Sequence, residues 1–183
     1  MMDYDMRMKN HAISLGIKPV TQVRTGDGAG QCTEATYASI LGVELSEIPD
    51  LLGPEGKRTY KQWVTVYDYL MGEFGLKILT VFIPRTPIED VEDAFDELRV
   101  HNDWLHELPW DKPHVILGLN PGSVGHMCVG VNRRLVWDPN PRRRGLTHID
   151  GFEFLLDTDF LLSKFRMKPA DFYHPSAANI NLS

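Results

Sequence analysis

Hydrophobic residues recur at helical spacing in two stretches of the first half of the chain. In the first stretch, Ala35, Ala38 and Leu41 lie three residues apart and predict a buried helix. The second stretch begins at about Thr59 and predicts an amphipathic helix, because its apolar residues recur every three or four positions. These apolar residues are Trp63, Val66, Tyr67, Leu70 and Phe74. A glycine, which commonly ends a helix, follows each stretch.

Shorter elements are predicted before and after these helices. Residues 17–23 alternate between apolar and polar positions and predict a short extended segment, which Pro19 confines to an edge or an irregular strand. Residues 46–50 predict one turn of helix, and residues 76–83 predict a strand. Residues 86–101 predict a third, acidic helix, because a capping threonine, a proline at the first helical position and the acids behind them favour a helix start.

The last third of the chain alternates between β-rich runs and turns. The runs at residues 114–119, 126–131 and 134–137 are short and predict an antiparallel meander. Because the predicted helices come first and most of the strands follow, the predicted fold class is α+β. In such a domain, the N-terminal helices pack on a C-terminal antiparallel sheet.

Composition indicates a single domain. The chain has 183 residues, 43% of them hydrophobic, which is enough for one domain with a sizeable core. We expect residues 1–16 to form an N-terminal arm, either a short helix or a loosely held segment, residues 17–168 the domain and residues 169–183 a peripheral tail. No apolar run approaches the ~20 residues that span a bilayer. The first residues lack the pattern of a secretion signal, so we expect a cytoplasmic location and no membrane association.

The charge balance argues against general binding to nucleic acid. The chain carries 19 basic and 25 acidic residues, and its net charge of −6 repels a phosphate backbone. Several arginines nevertheless cluster in the last third, at Arg133, Arg134, Arg142, Arg143 and Arg144. We interpret them as a solvated rim, with a site for an acidic substrate or partner as the alternative.

Cys32 stands at the predicted start of a helix, directly after a glycine-rich loop that ends at Gly30. The partial positive charge at a helix start stabilises a thiolate, which is the reactive form of cysteine. Cys32 is therefore a candidate nucleophile, and a small core residue is the alternative. A nucleotide-binding loop is a further alternative. However, the loop lacks the spacing of a dinucleotide fingerprint and the Gly-Lys-Ser/Thr ending of a phosphate loop.

His126 and Asp138 are the candidate partners of this thiol. His126 opens one predicted strand and Asp138 follows the next strand, so a hairpin brings the two residues together. A carboxylate beside an imidazole fixes the tautomer and the orientation of the ring. Cys128 shares a strand face with His126 and is interpreted as a core residue. These three residues and His148 lack the paired spacing typical of metal sites, so no metal or other cofactor is expected.

Several short motifs occur in order along the chain. They are Gln22, Gly30-Gln31-Cys32-Thr33-Glu34-Ala35, Leu41-Gly42-Val43-Glu44-Leu45-Ser46-Glu47-Ile48-Pro49, Gly125-His126 and Leu135-Val136-Trp137-Asp138-Pro139. Over about residues 17–146, this set resembles papain-like cysteine peptidases. More narrowly, it is similar to the bacteriocin-processing peptidase domains of ABC transporters and to their small stand-alone relatives encoded by bacteria and phages.

The resemblance implies a papain-like cysteine peptidase fold and a role for each matched residue. It makes Cys32 the nucleophile, His126 the general base and acid, and Asp138 the residue that orients the imidazole. Gln22 is the implied side-chain donor of the oxyanion hole. Gln31 is the alternative donor, because the glutamine of the transporter domains lies nearer the cysteine than Gln22 does here.

The implied function is a cysteine-dependent amide hydrolase that acts on a peptide or protein through a thioester acyl-enzyme, with peptide hydrolysis as the leading reaction. We expect Gly30, Gln31 and Trp137 to lie beside the substrate, and Trp137 also to shield the histidine–aspartate bond from water. Deamidation of glutamine and acyl transfer to an amine share the first half of the reaction and are alternatives. The alternative from another class is a catalytically idle papain-like fold, for example a phage-encoded inhibitor of a host factor.

Overall fold

The computed structural model describes residues 2–25, 30–53, 55–90, 103–142 and 145–165. Its helices are α1 (Met2–Ser14), α2 (Cys32–Leu41), α3 (Tyr60–Phe74) and α4 (Thr158–Phe165). Its strands are β1 (Leu76–Pro87), β2 (His114–Leu119), β3 (Gly125–Val131), β4 (Arg134–Trp137) and β5 (His148–Asp157). Short 3-10 helices occupy Leu45–Glu47, Ile88–Asp90 and Asp103–Glu107.

The described strands form a five-stranded sheet in the order β1-β5-β2-β3-β4, in which all neighbouring strands are antiparallel. The α+β class is confirmed, and so is the meander of β2, β3 and β4. Asn132 and Arg133 form the turn between β3 and β4, and their φ angles are 51° and 64°. Two positive φ angles in a two-residue turn match the twist of the flanking strands. A tight two-residue turn therefore connects β3 and β4, the strands that position the candidate site residues.

β5 was not predicted, although it lies inside the sheet and pairs with both β1 and β2. Phe152, Phe154 and Leu156 alternate along this strand and are all buried, a signal with period two that the sequence contains. Gly118 in β2 allows β5 to approach closely, because a Cβ atom at this position would collide with the carbonyl oxygen of His148. The central part of the sheet thus depends on pairing between segments distant in sequence.

The predicted start of the third helix is wrong. β1 continues through Thr86 and Pro87, which pair with the first residues of β5. The hydroxyl of Thr86 donates to the carbonyl oxygen of Pro84 at 2.7 Å and does not cap a helix. Pairing with a neighbouring strand has therefore outweighed the local capping signal. Residues 91–101, the rest of this predicted helix, lie outside the described residues.

Residues 17–23, predicted as an edge or irregular strand, form no strand in the described structure. The backbone N–H of Lys18 instead donates to the carbonyl oxygen of Ser39 at 3.2 Å. The backbone N–H of Gln22 donates to the carbonyl oxygen of Pro139 at 2.9 Å. These bonds connect the segment to α2 on one side and to the loop after β4 on the other.

The two helices predicted from apolar spacing are confirmed as α2 and α3. α2 is buried along most of its length, and it packs on β3. The hydroxyl of Thr36 donates to the carbonyl oxygen of Met127 at 3.2 Å and connects the helix to that strand. α3 packs against the same core through Val66 and Leu70. The helical turn predicted after α2 is the 3-10 helix Leu45–Glu47.

The segment expected to form an N-terminal arm contains α1. Ala12 in this helix is fully buried, and it belongs to the same apolar cluster as Ile17, Val136 and Trp137. The arm therefore packs against β4, the strand that precedes Asp138.

No helix in the described part of the chain is long and apolar enough to cross a membrane. Of the clustered arginines, Arg133 has its guanidinium 6.0 Å from the ring centroid of Trp110. Three predicted features lie outside the described residues: residues 26–29 of the glycine-rich loop, Arg143 with Arg144, and the tail at residues 169–183.

Candidate active site

The β3–β4 hairpin brings His126 and Asp138 together. His126 is the second residue of β3 and Asp138 directly follows β4, so antiparallel pairing sets the two side by side. Nε2 of His126 and Oδ1 of Asp138 are hydrogen-bonded at 2.7 Å, and both side chains are buried. A buried bond of this kind fixes the orientation of the ring. The structure thus joins the two residues that the hairpin was expected to join.

The carboxylate of Asp138 is itself held in place. Its Oδ1 also accepts a hydrogen bond from the backbone N–H of Asn140, and its Oδ2 accepts one from the backbone N–H of Gly145, both at 2.8 Å. The neighbouring Trp137 is 1% exposed, and its indole N–H donates to the carbonyl oxygen of Val20 at 2.8 Å. Trp137 therefore lies in the core beside the carboxylate, where it can exclude water, rather than on a surface that a substrate reaches.

Cys32 is the first residue of α2 and is almost completely buried. Gln31, the N-cap residue, makes no side-chain capping bond, and the first backbone N–H groups of a helix have no partner within it. The imidazole of His126 and the backbone of Met127 are close enough to the Cys32 thiol to lower its pKa. Because Nε2 of His126 bonds with Asp138, Nδ1 is the ring nitrogen left for the thiol.

The surroundings of Cys32 favour its thiolate form. Burial raises the pKa of this thiol, but the hydrogen bond and charge of His126, the charge of Arg58 and the hydrogen bond of Met127 outweigh burial and hold the pKa below its usual value. Burial lowers the pKa of His126, but hydrogen bonds with Asp138 and with two cysteines raise it far more. Both net shifts move the pair towards thiolate and imidazolium.

Three separate segments supply this Cys-His-Asp cluster: the start of α2, the start of β3 and the loop after β4. Comparisons with models of protein families, with curated proteins and with solved structures found no match. The chemistry of the cluster is therefore inferred from its own atoms.

Cys128 is a second thiol beside His126. It lies two residues further along the same face of β3 and is completely buried, in agreement with a core position. Burial raises the pKa of this thiol to about 12. Donor atoms of His126, Cys128 and Asp138 lie within 4.8 Å of one another, close enough to hold a metal ion, but the bond between imidazole and carboxylate already uses two of them. His148 is not part of this group in the described structure.

The two glutamines considered for the oxyanion hole lie in different surroundings. Gln22 is buried next to the loop after β4, because its backbone N–H donates to Pro139. Its side-chain Oε1 has no hydrogen-bond partner among the described residues. The side-chain Oε1 of Gln31, in contrast, accepts a hydrogen bond from the backbone N–H of Arg24 at 3.1 Å. The side chain of Gln31 is thus bonded to the segment that contains Arg24, whereas Oε1 of Gln22 has no partner among the described residues and lies in the segment bonded to the loop after β4.

An open groove with a volume of about 720 Å³ lies beside Gln31. Its other lining residues are Val23, Arg24 and residues 44–50. Val23 is 82% exposed and offers the groove an apolar surface. Gln31 directly precedes Cys32 in the sequence, whereas Cys32, His126 and Asp138 are not among the residues that line this groove.

Arg58 belongs to the surroundings of Cys32, although the sequence analysis did not identify it. Its guanidinium donates to the carbonyl oxygen of Gly30 at 2.5 Å and to Oγ1 of Thr33 at 3.3 Å. Gly30, expected to lie beside a substrate, therefore directs its carbonyl group towards Arg58. Local patterns cannot reveal a contact between such distant segments. The signal available was Glu34, an acid within a predicted buried helix.

Proposed function

We propose that this chain is a cysteine-dependent amide hydrolase with a papain-like fold, and that its leading reaction is peptide hydrolysis. One observation carries the proposal: His126 and Asp138 are hydrogen-bonded at 2.7 Å beside Cys32, the pKa of whose thiol the imidazole lowers. A nucleophile, a base and an orienting carboxylate in this arrangement are what acyl transfer requires. The position of the cysteine, at the start of a buried helix packed on the strand that carries the histidine, supports the papain-like fold.

Acylation begins when His126 accepts the proton of the Cys32 thiol. The sulfur attacks the carbonyl carbon of the substrate amide, a carbon–sulfur bond forms, and the carbonyl oxygen takes the negative charge. Asp138 stabilises the imidazolium that results. The oxyanion accepts hydrogen bonds from the backbone N–H of Cys32 and from the side-chain amide of Gln22.

The tetrahedral intermediate then breaks its carbon–nitrogen bond. The leaving amine takes the proton from His126, and the acyl group stays on Cys32 as a thioester. A water molecule gives a proton to His126 and attacks the thioester carbonyl carbon. The carbon–sulfur bond then breaks, the carboxylic acid departs, and the proton on the imidazole returns to the sulfur. Release of ammonia from a glutamine side chain, or transfer of the acyl group to an amine, would follow the same first step.

The groove beside Gln31 is the surface that we assign to the substrate. It is open and has a volume in the range of ligand-binding sites. The exposed side chain of Val23 would contact apolar substrate groups there. An extended peptide in this groove would pass Gln31, the residue that precedes Cys32.

The test is digestion of a diverse peptide mixture, followed by mass spectrometry of the products. We expect new peptide termini with the wild-type chain and with Cys128→Ala, and none with Cys32→Ala. Cys128→Ala is the matched control, because it also removes a buried thiol beside His126. A peptide with an electrophilic carbonyl analogue should form a covalent adduct at Cys32 in the same two active proteins.

Two other results are informative. Glutamine-to-glutamate conversion without cleavage would replace peptide hydrolysis by deamidation within the same chemistry. A folded wild-type chain that leaves every peptide unchanged and forms no adduct at Cys32 would contradict the proposal and favour the idle binding fold.

A further inference from the structure

Arg58 contacts the residues that flank Cys32. One nitrogen of its guanidinium, Nη2, donates to the carbonyl oxygen of Gly30 at 2.5 Å, and Nη1 donates to Oγ1 of Thr33 at 3.3 Å. Nη2 also lies 3.6 Å from Oε2 of Glu34. The guanidinium thus connects the residue two positions before the thiol with the two residues after it.

The guanidinium of Arg58 lies in a position that is unfavourable for a cation unless the positive charge has a function there. The start of a helix carries a partial positive charge, so an arginine beside the first turn of α2 is repelled by the helix dipole. Glu34 offsets this repulsion from a position where it is 1% exposed. Its Oε1 accepts a hydrogen bond from the backbone N–H of Leu51 at 3.1 Å, whereas its Oε2 has no hydrogen-bond partner among the described residues and faces Arg58.

We propose that Arg58 is a positioning residue for Cys32, which it serves by fixing the backbone and side chains on both sides of the thiol and by adding positive charge next to it. The consequence for catalysis rests on the proposed function, but the effect on the thiol does not. A thiolate is the form that reacts, and its concentration can be measured without a substrate.

The charged groups around Cys32 allow the contribution of Arg58 to be separated from the others. β3 contributes His126 and Cys128, and α2 contributes Glu34 from its own first turn. Burial raises the pKa of Cys32, His126 lowers it by hydrogen bonding and charge, and the charge of Arg58 lowers it further. Removing Arg58 should therefore raise this pKa without abolishing the effect of His126.

The experiment follows alkylation of Cys32 by iodoacetamide from pH 5 to pH 9, with mass spectrometry to assign the labelled thiol. Arg58→Gln removes the charge, and Arg58→Lys keeps it. Arg85→Gln is the matched control, because Arg85 also pairs with an acid, Asp150, through two hydrogen bonds of 2.7 and 3.1 Å, and is not among the groups that shift the pKa of Cys32. Circular dichroism and thermal unfolding establish that each variant is folded.

We expect Arg58→Gln to move the midpoint of Cys32 alkylation upward by about one pH unit, since an opposite charge close to an ionisable group has an effect of this size. Alkylation below the midpoint should then slow about tenfold. Arg58→Lys should recover most of the shift, and Arg85→Gln should show none.

Arg58→Gln leaves a buried carboxylate without its partner and can fail to fold for that reason. The double variant Glu34→Gln/Arg58→Gln removes both charges and keeps the shapes, and it should show a smaller upward shift, because loss of the negative charge of Glu34 acts in the opposite direction. A folded Arg58 variant with an unchanged midpoint would overturn the proposal. A shift of equal size in Arg85→Gln, or no recovery in Arg58→Lys, would overturn it as well. If the midpoint of the wild-type thiol is not depressed at all, it is the proposed function that fails.

Discussion

The imidazole of His126 has two partners with different tasks. Asp138 bonds with Nε2. In the proposed reaction it stabilises the charged ring, and the ring deprotonates the thiol of Cys32. Asp138 contributes most to the raised pKa of the imidazole, and the imidazole contributes most to the lowered pKa of the Cys32 thiol. Single substitutions at His126 or Asp138 should therefore lower the reactivity of the Cys32 thiol by more than their effect on folding stability would explain.

Asp138→Asn should slow turnover and also lower stability. The carboxylate accepts hydrogen bonds from His126, Asn140 and Gly145, whereas an asparagine must direct its NH₂ group at one of these donors. We expect a loss of about 1–3 kcal/mol in the free energy of unfolding, because one buried partner is left unsatisfied. We expect a fall in turnover on the order of a hundredfold or more, because the imidazole loses its orienting charge.

Peptide turnover and urea unfolding measure these two effects. Asp150→Asn is the control, because Asp150 pairs with Arg85 outside the site and its loss should change turnover little. An unchanged rate in Asp138→Asn would remove Asp138 from the site.

Gln22→Ala and Gln31→Ala separate the two candidates for the oxyanion hole. Gln22→Ala should lower turnover on the order of a hundredfold while alkylation of Cys32 stays nearly constant, because only acyl transfer creates an oxyanion. Gln31→Ala should do less, since its side chain bonds with the backbone of Arg24. A larger loss in Gln31→Ala would reverse the assignment. If neither change mattered, backbone N–H groups would stabilise the oxyanion alone.

Among the strands, β2 carries a buried histidine that the chemistry does not use. His114 lies against Trp110, Phe152 and Phe154, with ring centroids 5.2 to 6.0 Å away. Its Nδ1 lies 2.9 Å from the carbonyl oxygen of Lys112, and its Nε2 has no hydrogen-bond partner among the described residues. Burial lowers the pKa of His114 to about 4. The sheet is therefore built around a neutral imidazole.

His114 should make the fold sensitive to acid. Its pKa is about 4 in the folded chain and near 6.5 in the unfolded chain, so the unfolded chain binds more protons between these values. Stability should fall as the pH drops from about 6.5 to about 4, by about 3 kcal/mol from this group. Urea unfolding at several pH values measures it. His114→Phe should flatten this part of the profile, and His11→Gln, at an exposed position, should not. A profile unchanged by His114→Phe would show that the imidazole is not kept neutral by the fold.

Local signals predicted some elements well and others badly. The spacing of apolar residues predicted α2 and α3 correctly, because residues only three or four positions apart form the buried face of a helix. The capping signal at Thr86 failed because β5, far along the chain, pairs with this segment and extends β1. β5 itself was not predicted although its apolar residues alternate, because a short alternating run does not by itself identify a strand.

For the molecule as a whole, the candidate site depends both on contacts within one hairpin and on contacts between segments distant in sequence. His126 and Asp138 could be paired from the sequence, because one short hairpin separates them. The association of Cys32 with His126 followed from resemblance rather than spacing, because it needs the packing of α2 on β3. Arg58 could not be predicted, since it reaches α2 from the segment before α3.

The central claim is that Cys32 is a nucleophile activated by His126. The most direct measurement is the pH dependence of iodoacetamide labelling at Cys32 and Cys128, in the wild-type chain and in His126→Ala. We predict that Cys32 reacts much faster than Cys128, with a midpoint below the ~8.5 of an ordinary thiol, because the lowered pKa keeps thiolate present at lower pH. In His126→Ala, the imidazole no longer opposes the effect of burial on the pKa of Cys32, so the midpoint of Cys32 labelling should rise. Equal labelling of the two thiols in the folded protein, or a Cys32 midpoint that His126→Ala leaves unchanged, would contradict the claim.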